Sequence, residues 1–154
     1  MYPWTHFMFG SFVGAIAYHL GLIPFFGFVL VAFISMLIDL DHYISYYFFH
    51  RKDMAFKRIW NECILGHFHG RSFIHRGEGF LLVTLLLIGV YFLDPTWFFI
   101  LGLSYYNHYF LDHIHLHMKK GLKNVKRGFH FQIFYLELAM GIVVKILTFI
   151  LILY

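Results

Sequence analysis

Three observations predict an all-α, polytopic integral membrane bundle of about five hydrophobic helices. Of the 154 residues, 60% are hydrophobic and only 13% are charged, against about 45–50% and about 25% in soluble domains. Long apolar runs recur, and a bilayer core of about 30 Å takes about 20 helical residues to cross. The 21 Phe and 11 Tyr supply the aromatic excess of lipid-facing surfaces and interfacial belts. This composition excludes an ordinary cytosolic domain, a disordered tail and a disulfide-stapled secreted module. The lone Cys63 has no partner within the chain and says nothing of redox compartment.

The first apolar block runs from Phe7 to Ile38 and breaks at His19-Leu20-Gly21-Leu22-Ile23-Pro24, which makes two helices joined by a tight turn. The first of them, Phe7 to Tyr18, is short; it tilts, thins the bilayer or enters partway. Gly10 and Gly14 form a Gly-x-x-x-Gly pair, which predicts close helix packing. The second block, Phe80 to Phe110, breaks at the turn dipeptide Asp94-Pro95. The third, Phe131 to Tyr154, reads as one full span. Between blocks one and two, Asp53 to Ile64 reads as an interfacial amphipathic helix. The opening Met-Tyr-Pro-Trp-Thr-His has no Lys or Arg to serve a signal peptide, so the first helix is read as retained. No internal repeat is visible. The chain reads as a single membrane-embedded domain, 1–154, with polar basic loops at 43–79 and 116–130.

Those two loops hold eleven of the twelve Lys and Arg, all but Lys145. Positive charge marks the cytoplasmic side. Both loops, and with them the N-terminus, are therefore expected there, in a cell's inner or cytoplasmic membrane. The net charge of +4 sits in loops and not along one face, so membrane lipids are the expected partners and nucleic acid is not.

This topology brings polar residues from four segments to one membrane face. His6 opens helix one; Asp39, Asp41 and His42 end helix two; His75 and Glu78 lead into helix three; His108 and Asp112 end helix four. Imidazole with carboxylate suits zinc, manganese or iron, and bundles build metal centres from several helices. Positions 108, 112 and 115 fall at i, i+4 and i+7 and share a helical face. Carboxylates at the lipid boundary need a partner or a cation. The plainer alternatives are a helix-end cap for His108 and Asp112, and a polar flank for Asp39 to His42. His113, His115 and His117 read as solvated or headgroup-contacting, with His115 able to join the site. His67 and His69 are loop residues or ligands of a second ion. Glu137, about two turns into the last helix, is an intramembrane carboxylate and a functional candidate by that fact alone.

Taken in order, Thr5-His6, Asp39-x-Asp41-His42, a His-Arg-Gly stretch and His108-x-x-x-Asp112 resemble the membrane-bound metal-dependent hydrolase family, also called the LexA-binding, inner-membrane-associated hydrolases. That family is distantly similar to the zinc-dependent phospholipases C. The resemblance spans roughly residues 4 to 115. It implies His6, Asp39 or Asp41, His75, His108 and Asp112 as metal ligands. The family's His-Arg-Gly-x-Thr-His-Ser pattern has no perfect copy here. His75-Arg76-Gly77-Glu78-Gly79 matches its start, and His69 to His75 matches with one residue inserted; His75 belongs to both registers.

The resemblance implies a hydrolase of a lipid or other small-molecule phosphoester. It would carry one to three divalent ions, zinc first, with manganese or iron as alternatives. Metal would acidify a water and polarise the phosphoryl oxygen. Glu78 or His42 would move the proton, and Arg71 and Arg76 would hold an anionic head group. The rival readings are a membrane di-iron oxygenase or desaturase, a metal transporter, and a non-enzymatic membrane adaptor. A homo-oligomer is compatible with all of them.

Overall fold

The computed structural model describes residues 3–42, 44, 73–121 and 129–153. Among these the protein is all-helical: α1 (Pro3–His19), α2 (Phe25–Leu37), a 3-10 turn (Phe73–His75), α3 (Gly77–Leu93), α4 (Pro95–Gly121) and α5 (Phe129–Leu153). The breaks fall where the turn residues put them. Pro24 and Pro95 cannot donate a backbone hydrogen bond, so a helix can begin there and cannot continue through. The amphipathic segment 53–64, His67, His69 and Arg71 lie outside the described residues.

The hub is formed by α1, which packs on α2, α4 and α5, and by α4, which also packs on α2 and α3. Gly10 and Gly14 bring α1 and α2 together as expected. A Cβ at Gly10 would lie 2.8 Å from Ser35 Oγ, and one at Gly14 would lie 2.9 Å from the Phe28 carbonyl oxygen. Ala17, Ile23, Val31 and Ile100 form the buried apolar cluster. Small polar residues line the seam between α2 and α4: Ser104 Oγ donates to the carbonyl of Ile100 at 2.7 Å, and Ser35 Oγ donates to that of Ser104 at 3.2 Å. Such residues let helix backbones approach closely.

Two segments, Phe25–His42 and Tyr135–Leu153, are long and apolar enough to cross a bilayer. Many large apolar side chains point outward, among them Phe33, Leu85, Leu86, Phe92, Leu93 and Phe149. Helix α4 continues to Gly121, so His117, which falls within the loop expected at 116–130, is helical, as are His113 and His115. No Gly or Pro stands between Leu103 and Lys120 to interrupt the helix.

Candidate metal centre

Four elements converge at one end of the bundle. Helix α1 delivers His6 from its first turn. After Leu37 the chain tightens, with backbone hydrogen bonds from Asp39 to Met36, Asp41 to Ile38 and His42 to Asp39, and this short turn delivers Asp39, Asp41 and His42. The 3-10 turn delivers His75. It is pinned to α4 by the Tyr105 hydroxyl, which donates to the Ile74 carbonyl at 2.9 Å. Gly79 is required beneath it, because a Cβ there would lie 2.0 Å from the Phe73 carbonyl oxygen. Helix α4 delivers His108 and Asp112 from successive turns.

These side chains form two groups that could each hold a metal ion. One is His6, Asp39, His108 and Asp112; the other is Asp39, His42, His75 and Asp112. Within each group the ligand atoms all lie within 4.8 Å of one another. Asp39 and Asp112 belong to both. Each group also contains a stacked imidazole pair, His6 on His108 at 4.0 Å between centroids and His42 on His75 at 4.6 Å. The arrangement is two histidine pairs around two common carboxylates.

The side chains of the two groups crowd together. His75 Nε2 lies 2.9 Å from His108 Nε2 and 3.1 Å from Asp112 Oδ2, and His108 Nε2 lies 3.5 Å from that same oxygen. Tetrahedral donors about 2.0–2.2 Å from one cation stand about 3.3–3.6 Å apart, the range of the Asp112 contacts to His6 and His108 within the first group. His6 is fully buried, and neither of its ring nitrogens makes a hydrogen bond. Its Nε2 instead faces Asp112 Oδ1 at 3.3 Å and Asp39 Oδ2 at 3.8 Å. Buried imidazole nitrogens left in this way cost free energy unless something electropositive sits between the groups.

Surrounding groups orient these candidate ligands. His108 Nδ1–H donates to the Ser35 carbonyl at 2.7 Å, which leaves Nε2 as the lone-pair atom turned toward the carboxylates. Asp41 Oδ2 lies 3.4 Å from His75 Nδ1 and plays the same part for that ring. Burial disfavours charge on His75, but the Asp112 and Asp41 carboxylates outweigh it and raise its pKa to about 9. A cation entering the second group therefore displaces a proton.

Of the residues expected at the site, His6, Asp39, His75, His108 and Asp112 come together as ligand candidates. His42, expected to move protons, stands among the candidate ligands. Asp41 stands behind His75. Glu78 is exposed on the first turn of α3 and belongs to neither group, and Arg76 is exposed beside His75. His115 turns away from the centre toward Glu137. Ser35 was not anticipated, although it precedes Asp39 by one helical turn and that spacing could have singled it out.

No protein-family model, curated protein or solved structure matches this chain. What can be said of its chemistry comes from its own residues.

Proposed function

We propose that this chain is an integral membrane hydrolase that uses two divalent cations, zinc first among them, to cleave a phosphoester of a lipid or other membrane-derived molecule. The carrying observation is the pair of His/Asp groups that share Asp39 and Asp112. Carboxylates common to two histidine pairs are what two neighbouring cations need, since each oxygen can serve a different ion. The membrane assignment draws support from the two long apolar segments, of which only 22% is buried. The core helix of a soluble protein would be mostly covered.

When bound, the cations would supply a water acidified to hydroxide and a polarised phosphoryl oxygen. The protein's own residues do the rest. Ser35 and Asp41 hold His108 and His75 in position for the ions. Arg76, exposed next to His75, is placed to attract an anionic head group. Glu78, three residues beyond His75 and exposed, is the carboxylate available to return a proton to the departing alcohol. The donor set gives a second reading a foothold, because shared carboxylates with imidazoles in a helical bundle also suit a di-iron oxygenase.

Elemental analysis of the detergent-purified protein beside a His108→Ala/Asp112→Ala variant tests this. About two zinc or manganese ions per chain, lost in the folded variant together with phosphoester hydrolysis, is the expected result. Iron with a paramagnetic or optical signature transfers the proposal to the oxygenase. No metal in wild type, with metals supplied during purification, removes both and leaves a membrane adaptor.

A further inference from the structure

Among the described residues, neither His/Asp group takes a ligand from α5. Yet α5 carries Glu137, a carboxylate with no exposed surface. Burying an acid in an apolar span is costly unless it is held by partners. Two partners are clear. Thr5 Oγ1–H donates to Glu137 Oε2 at 2.9 Å, and His115 Nδ1 lies 3.3 Å from Oε1.

The placement of these partners is informative. Thr5, itself fully buried, is the residue immediately before His6. His115 follows Asp112 by three residues on α4, one helical turn behind it. One carboxylate thus hydrogen-bonds α1 beside one candidate ligand and stands in charge contact, without a hydrogen bond, with α4 beside another. His6 and Asp112 stand in the same group, with Asp39 and His108. The His42–His75 pair is carried by other segments, which Glu137 does not touch through either contact.

We propose that Glu137 is a positioning residue of the metal centre: through Thr5 and His115 it sets the spacing of α1 and α4 at the cation site formed by His6 and His108. The proposal rests on the reading of that group as a cation site. It makes the last helix part of the centre without giving it a ligand. Groups that orient metal ligands from behind are commonly worth 10–100-fold in metal affinity, roughly the range expected here.

The test titrates Zn²⁺ into the full-length, detergent-purified protein against a chromophoric chelator, with Co²⁺ absorption spectra as the second readout. Glu137→Leu is expected to weaken one of two bound ions by about 10–100-fold and leave the other within about twofold. Its Co²⁺ spectrum should change for the weakened ion only. Glu137→Gln still accepts the Thr5 hydrogen bond and is expected to restore most of the lost affinity. Thr5→Val, which removes only the hydroxyl, should weaken the same ion by about tenfold. A purely structural acid would instead lower the melting temperature of Glu137→Leu and leave both affinities and the spectrum unmoved, which overturns the proposal. If Glu137→Leu does not fold, Thr5→Val decides alone, and an unchanged titration overturns the proposal. Wild-type protein that binds no ion defeats the metal centre itself; two ions in wild type with both variants unchanged defeats only the role of Glu137.

Discussion

At the end of the bundle where α1 turns into α2 and α3 into α4, polar side chains meet backbone. Asp94 Oδ1 accepts from the N–H groups of Thr96 at 2.8 Å and Trp97 at 3.4 Å, an ordinary cap on the first turn of α4. The His19 ring meets the carbonyl of Leu151 and ties α1 to the end of α5. At the opposite end His6, His75, His108, Asp39 and Asp112 meet chiefly one another. The same residue types thus have two fates in one molecule. Paired with backbone dipoles, a histidine or aspartate is satisfied and structural. Packed against its own kind out of water, it is left asking for protons or cations.

The contrast can be broken most forcefully at a shared carboxylate. Asp112→Asn is expected to weaken both bound ions beyond about 100-fold, whereas His42→Ala weakens one. Metal stoichiometry measured on the two folded variants checks this, and equal losses would mean that the carboxylates are not shared. Next in size is Gly79→Ala. Its methyl cannot fit 2.0 Å from the Phe73 carbonyl, so the 3-10 turn and His75 must move. Thermal melts should show a loss of about 2–3 kcal/mol, and the ion on the His42–His75 side should bind more weakly than the other.

A smaller effect sharpens the comparison through pH. The pKa of His75 is raised from 6.5 to about 9, so its proton stabilises the metal-free protein fully below about pH 6.5. That contribution is lost as pH climbs through 9, on the order of 2 kcal/mol at this buried position. Melting temperatures of chelator-treated protein should fall between pH 7 and 9.5. Metal-loaded protein, whose His75 has already given up its proton, should show a flatter profile; parallel profiles would count against His75 as a ligand. The smallest effect belongs to the other end. Asp94→Ala should cost about 1 kcal/mol of stability, as the loss of a helix cap does, with metal content unchanged.

Much of the fold was legible because it follows from local rules. Pro95 begins α4 where its missing N–H requires a break, and Gly10 with Gly14 announced the tight α1–α2 contact. The turn-by-turn spacing of His108 and Asp112 put both on one face, and both reach the centre. The third member of that stripe, His115, does not. It faces Glu137 of α5 instead, a partner 22 positions away in sequence that no periodicity could foresee. His42 illustrates the same limit: its ring stacks on His75, beyond a long stretch of intervening chain.

By itself, then, the sequence determined the helical class, the positions of the breaks and the residue types available at one end of the bundle. These depend on hydrophobic period, on prolines and glycines, and on chemistry carried by each side chain. Only the tertiary structure decided that Asp39 and Asp112 stand between two histidine pairs, that Asp41 backs His75, and that Glu137 reaches both α1 and α4. Whether two carboxylates stand between both histidine pairs is a matter of a few ångströms between different helices. Those distances are set by how closely the helices pack, through the small residues Gly10, Gly14, Ser35 and Ser104 at their seams, and not by anything a single segment encodes.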